Sequence, residues 1–205
     1  MNIYLTLLTI SIMTRALIIG SSHVNRLRTY VNSNCSTRNF SFGNDPLVRF
    51  YGISGGRVNK TEHCTRWERV ISDIRPHHLV FHAGGNDLDQ NSCKGFTEEM
   101  VFRLLSILSS WKGRYNIQTI TVLQLACRRS TYNVSVDKYN FIVCQFNQHL
   151  KRELKSHSTI IYLNLRNMKN CISNIYLDGV HFNAEGNLRY YRNVSGAILN
   201  AIRSV

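Results

Sequence analysis

Three groups of side chains in this 205-residue chain are of the types that act together on a carbonyl carbon. Ser22 follows a short apolar run, Arg15-Ala-Leu-Ile-Ile-Gly20, and a hydroxyl in the loop after a strand is a candidate nucleophile. Asp178 and His181 are close enough in sequence for the carboxylate to hold the imidazole in one tautomer, as a general base requires. Gly52-Ile-Ser-Gly-Gly56 and Gly84-Gly-Asn-Asp87 offer backbone N–H groups and the Asn86 amide, donors that could be fixed beforehand around a developing negative charge. The chemistry this set suits is attack on an acyl carbon.

Such groups meet only if the fold brings their segments to one edge. Apolar runs at Arg15–Gly20, Leu47–Tyr51, His78–Ala83, Ile117–Leu125 and Ile160–Leu163 read as five short strands. Between them, apolar residues recur at helical spacing: Val24, Leu27 and Val31; Trp67 to Ile74; Val101 to Trp111, closed by Gly113; Tyr139 to Leu154; and Glu185 to Ile202. Strands alternating with helices predict an α/β fold, a three-layer α/β/α sandwich on a five-stranded parallel sheet. In such a sheet the turns after the first three strands share one edge, where ligands bind. Residues 32–46, rich in Asn, Ser and Gly, predict a surface loop.

Each motif alone has a plainer reading. Ser22 suits the cap of the next helix, Asn86 and Asp87 a strand-ending turn, and Asp178 and His181 a loop with a surface histidine. Gly52-Ile-Ser54-Gly-Gly56 also fits G-x-S-x-G, the nucleophile elbow of α/β-hydrolases, which would make Ser54 the nucleophile. That elbow needs a turn running straight into a helix, whereas Val58-Asn-Lys-Thr61 intervenes here. His77, His78 and His82 predict packed or hydrogen-bonded strand residues. His23 lies near Ser22 with no role legible from its neighbours.

In order and spacing the motifs resemble the SGNH, or GDSL-type, hydrolase family over roughly residues 15 to 200. Ile18-Ile-Gly-Ser-Ser22, Ile53-Ser-Gly-Gly56, Gly84-Gly-Asn-Asp87 and Asp178-Gly-Val-His-Phe-Asn183 stand where the family's blocks supply a Ser, a Gly, an Asn and a His. The resemblance implies a flavodoxin-like sheet, Ser22 as nucleophile, His181 as general base and Asp178 as its orienting partner. It places an oxyanion hole at the Ser22 and Gly55 N–H groups and the Asn86 side chain. It also implies hydrolysis of acyl or acetyl esters of small molecules, lipids or sugars, without metal or organic cofactor. The family's first block usually reads G-D-S; here Ser21 replaces the Asp and His23 follows the nucleophile. The lost carboxylate predicts a looser seat for Ser22 or an altered charge near the imidazole.

Composition sets the remaining bounds. The length suits one folded domain over residues 15–205, preceded by an apolar extension over residues 1–14. That extension is too short to span a bilayer and lacks a positive leader and a small-x-small cleavage site, so it reads as a weak signal peptide or an upstream start before Met13. Its form leans toward the cytoplasm, while sequons at Asn34, Asn39, Asn59, Asn133 and Asn193 would suit secretion. Six cysteines form no C-x-x-C pair and have no His at zinc-ligand spacing, which argues against a metal site. The net charge of +13, from 25 Lys+Arg against 12 Asp+Glu, favours polyanionic partners and sets up a rival: a catalytically impaired module of this fold that binds nucleic acid or an anionic surface. No aromatic-basic tract or known nucleic-acid motif accompanies that charge.

Overall fold

Along β1 (Arg15–Gly20) successive side chains enter different cores: Leu17 and Ile19 pack on one face of the sheet, Ala16 and Ile18 on the other, all fully buried. This period of two with both faces apolar is what a strand covered on two sides requires. The same division runs through β3 (His78–His82), where Leu79 and Phe81 oppose Val80, and β4 (Thr119–Leu123), where Ile120 and Val122 oppose Leu123. With β2 (Leu47–Gly52) and β5 (Ile160–Leu163) they form a parallel sheet in the order β2-β1-β3-β4-β5. This is the flavodoxin-like order, with its switch point between β1 and β3. The computed structural model describes residues 14–36, 39–43, 46–90, 95–168 and 174–203.

Helices cover both faces. α1 (Ser22–Asn34) and α6 (Ala184–Arg203) bury Val24, Leu27, Val31, Tyr190, Val194 and Ile198 against one. On the other lie α2 (Thr61–Ile74), α4 (Phe96–Tyr115) and α5 (Val136–Glu153), which contribute Trp67, Ile71, Leu104, Leu108, Val143 and Phe146. A short α3 (Gly85–Gln90) follows β3 directly. The three-layer expectation therefore holds. No helix among the described residues is long and apolar enough to cross a membrane.

The structure amends three sequence expectations. The stretch at Asn86 and Asp87 is helical rather than a plain turn; α3 is too short to display an apolar stripe. α4 runs through Gly113, ending where Asn116 takes a left-handed conformation at φ 52° and its N–H caps the Lys112 carbonyl. Phe40, within the expected surface loop, is buried, its ring 5.5 Å from Phe50 and 5.1 Å from Tyr191. Two aromatics, Phe40 and Phe42, among polar residues make no period long enough to announce a core contact. The expected apolar extension, apart from Thr14, and Cys93 and Cys171 lie outside the described residues. Cys35, Cys64 and Cys144 are free thiols.

Candidate active site

Ser22 is the first residue of α1, immediately beyond β1. The chain can turn there because Gly20 has no side chain: a Cβ would come within 2.1 Å of the His82 carbonyl oxygen. The Ser21 N–H donates to that carbonyl at 3.0 Å, and the Gly20 carbonyl accepts the Ile53 N–H at 2.8 Å, so the loop is pinned to both neighbouring strands. These are main-chain bonds, and none involves the carboxylate absent at Ser21. The capping expectation falls on Ser21 by position, while the Ser22 hydroxyl is turned to His181. At the head of a helix the first N–H groups have no intrahelical acceptor and favour negative charge nearby.

The Ser22 Oγ lies 3.0 Å from His181 Nε2, and His181 Nδ1 lies 2.7 Å from Asp178 Oδ2. Because the carboxylate only accepts, Nδ1 carries the proton and the Nε2 lone pair faces the hydroxyl. Asp178 is fixed in turn by its Oδ1, which accepts the N–H groups of Val180 at 3.0 Å and His181 at 2.7 Å. Burial raises the Asp178 pKa, but the His181 backbone and imidazole N–H groups and the Val180 N–H outweigh it and hold the carboxyl well below its usual range. The segment is moored beside α6 by an antiparallel bridge between Tyr176 and Phe182 and by Leu177 N–H to His181 carbonyl at 2.7 Å.

Gly55, with φ 66°, and Ser22 line the same cleft of about 330 Å³, together with Arg26, Ser54, Tyr132 and His181. The Arg26 guanidinium stands 4.0 Å from the Asp178 carboxylate. The Asn86 amide nitrogen donates to the Gly56 carbonyl at 3.2 Å, which sets it beside the Gly55 loop, and its oxygen accepts from Arg128 at 2.7 Å. Ser22, His181, Asp178, Gly55 and Asn86 thus gather around the end of β1 and β3. Ser54 is exposed on the rim, and α2 begins only at Thr61, so the strand-turn-helix of an elbow is not formed there.

Sequence reasoning missed several supporting residues. Asp87 is wholly buried and accepts the Val58 N–H at 3.0 Å and the Asn59 N–H at 2.8 Å, tying the glycine loop to α3. Burial pushes its carboxyl up to about 6 against the pull of those two donors. Its place in the Gly84-Gly-Asn-Asp87 motif was the available signal. His23 is half-buried, its ring packed between Phe182, 4.6 Å away by ring centroids, and the rings of His82 and His181; desolvation, reinforced by His82, lowers its pKa well below the usual imidazole value. His78 bonds Thr119 and His82 bonds Tyr190, each at 2.7 Å, as expected of packed strand histidines. His77 accepts the Arg15 N–H at 3.2 Å. No cluster of His, Cys, Asp or Glu suited to hold a metal ion occurs among the described residues.

The hydroxyl, imidazole and carboxylate in series can generate a nucleophile at neutral pH and return its proton to a leaving group. A sequence model of the family described as GDSL-like lipase/acylhydrolase matches residues 18–193. The chain belongs to that family. As a GDSL-like protein it falls in the class of ester hydrolases. Among solved structures it is similar to a GDSL-like lipase from Bacteroides thetaiotaomicron, with 17% identity and a TM-score of 0.71 over 92% of this chain and 89% of that one. It is also similar to a lipase from a goat rumen metagenome, with 14% identity and a TM-score of 0.62 over 90% and 97%. A carbohydrate esterase of family 3 from Talaromyces cellulolyticus gives 15% and 0.60 over 94% and 100%. At these identities the likeness concerns the GDSL-like fold. No curated protein matches the chain.

Proposed function

We propose that the chain is a serine esterase that cleaves carboxylic esters, acyl or acetyl, through an acyl-enzyme on Ser22. One observation carries the reading: a hydroxyl on an open cleft stands 3.0 Å from an imidazole whose other nitrogen is 2.7 Å from a carboxylate. In the first step Ser22 Oγ bonds to the carbonyl carbon as its proton passes to His181 Nε2, and Asp178 stabilises the resulting imidazolium. The carbonyl oxygen takes up negative charge facing the Ser22 and Gly55 N–H groups and the Asn86 amide. Collapse expels the alcohol, which receives the proton from Nε2. Water then attacks the acyl carbon and gives its proton to Nε2; the acyl–Oγ bond breaks, Nε2 returns the proton to Ser22 Oγ, and the acid leaves. The modest cleft, whose walls expose more apolar than polar surface, suits a short acyl chain on a small-molecule, lipid or sugar ester.

Hydrolysis of p-nitrophenyl acetate by the wild type and by the Ser22→Ala and Ser54→Ala variants tests this. Activity is expected to fall roughly 10⁴-fold or more without the Ser22 hydroxyl and to change at most a few fold without that of Ser54. The reverse pattern would assign the nucleophile to the elbow motif.

A second reading, polyanion binding by a catalytically impaired module, draws on a different place. Arg166, Arg189 and Arg192 line a groove of about 520 Å³ with Asn167 and Asn193, and Glu185 is the carboxylate paired with Arg189 at 2.8 Å. This reading predicts salt-dependent RNA binding, weakened by Arg166→Ala and Arg192→Ala, without ester turnover. Ser22-dependent turnover would dismiss the impaired site.

A further inference from the structure

We propose that Arg128 is a positioning residue for the oxyanion donor, its guanidinium both orienting and polarising the Asn86 amide. The inference rests on the esterase reading, in which Asn86 meets the charged carbonyl oxygen. Arg128 Nη2 donates to Asn86 Oδ1 at 2.7 Å, and Nη1 donates to Asp89 Oδ2 at 2.9 Å. The arginine and aspartate side chains are only 6% and 3% exposed. Asn140 brackets the Arg128 backbone, accepting its N–H at 2.8 Å and donating to its carbonyl at 2.9 Å. The guanidinium carbon lies 4.8 Å from the Tyr139 ring centroid. Neither backbone nor head group of Arg128 is free to move.

This arrangement decides which way the amide points. A guanidinium can only donate and the Gly56 carbonyl can only accept, so Oδ1 must face Arg128 and Nδ2 must face Gly56. Turning the amide over would oppose donor to donor and acceptor to acceptor. One Nδ2 hydrogen serves Gly56, and the other remains for the reacting oxygen. A cation on Oδ1 also draws electron density from the amide nitrogen, so that this hydrogen becomes a stronger donor. Gly85 makes room for the contact, since a Cβ there would sit 2.9 Å from the Tyr139 hydroxyl and 3.3 Å from Arg128 Nη2. Stability alone is a poor reason for the pair, because well-packed apolar residues commonly match or exceed a buried ion pair.

The test compares wild type, Asn86→Ala, the paired change Arg128→Gln with Asp89→Asn, and all three changes together. The paired change leaves no lone buried charge, and its melting temperature verifies folding. Two readouts are taken: ester turnover, and the Asn86 side-chain amide signals in ¹⁵N-resolved NMR. The expected result is roughly a tenfold or larger fall in kcat with KM within about twofold, the fall vanishing when Asn86 is already Ala. The Asn86 signals should move toward those of a free asparagine amide. An equal kcat loss in the Asn86→Ala background, or a loss confined to KM, would overturn the proposal. So would unmoved amide signals alongside intact Ser22-dependent turnover. Wild type that shows no Ser22-dependent turnover would instead sink the esterase reading, and the catalytic use of Arg128 with it.

Discussion

On one side of the cleft the His181 imidazole leans on Asp178, a carboxylate whose side chain is 46% exposed and sits in the same loop. On the other, the Asn86 amide leans on Arg128, 42 positions away, and Arg128 is held in turn by Asp89 of α3; both supports are almost wholly buried. In the proposed reaction the base and the oxyanion donor have different tasks, and their supports differ accordingly. An imidazole that takes up and releases a proton needs a partner that stabilises its charged form, and a solvated carboxylate provides that at little folding cost. A donor that must already be in place when charge appears needs rigidity, which comes from removing water and satisfying every atom around it.

The largest loss is expected at the base. His181→Ala should lower kcat for an ester roughly 10⁴-fold or more while leaving the fold intact, checked by turnover and circular dichroism. A loss of only tenfold would remove His181 from the proton path. The two carboxylates should then separate by stability rather than activity. Asp89→Ala strands a buried guanidinium and should cost about 3–5 kcal/mol of unfolding free energy. Asp178→Ala, in a half-open loop, should cost far less under the same urea titration. Similar losses would mean that the two supports are not of different kinds.

Next in size is Asn86→Ala, expected to reduce kcat about 10²- to 10³-fold through loss of one oxyanion donor, measured by steady-state kinetics. Acid should also weaken the fold. Burial drops the His82 pKa from 6.5 to about 4, so the unfolded chain takes up a proton that the folded chain refuses until lower pH. Stability from this group is complete above about pH 6.5 and declines as pH falls through the window to about 4, by on the order of 3 kcal/mol. Urea midpoints at pH 7 and pH 5 should diverge less in a His82→Gln variant than in the wild type. Parallel behaviour of the two proteins would place acid sensitivity elsewhere.

How much of this was legible in the sequence follows the same division. Asp178 and His181 announce each other because three intervening steps suffice to close a hydrogen bond within one loop. The strands were legible because Leu17 and Ile19, or Leu79 and Phe81, sit in unbroken apolar runs that only a doubly covered sheet buries. Ser22, Gly55 and Asn86 could be gathered to one edge by the topology alone. Arg128 could not, since it stood among many dispersed basic residues and its partner Asn86 is 42 positions away. Whether an arginine is a surface charge or a buried fork is decided by what packs over it, here Tyr139 and Asp89. Phe40 was lost for a related reason, as its stacking on Phe50 and Tyr191 is tertiary.

In the proposed reaction the acyl group passes through the Ser22 oxygen. Treating the protein with a fluorophosphonate, which phosphonylates an activated serine, and mapping the adduct by peptide mass spectrometry tests it most directly. A single adduct on Ser22 is expected, absent from the His181→Ala and Ser22→Ala variants. Labelling on Ser54, or labelling that persists when Ser22 is replaced, would contradict it.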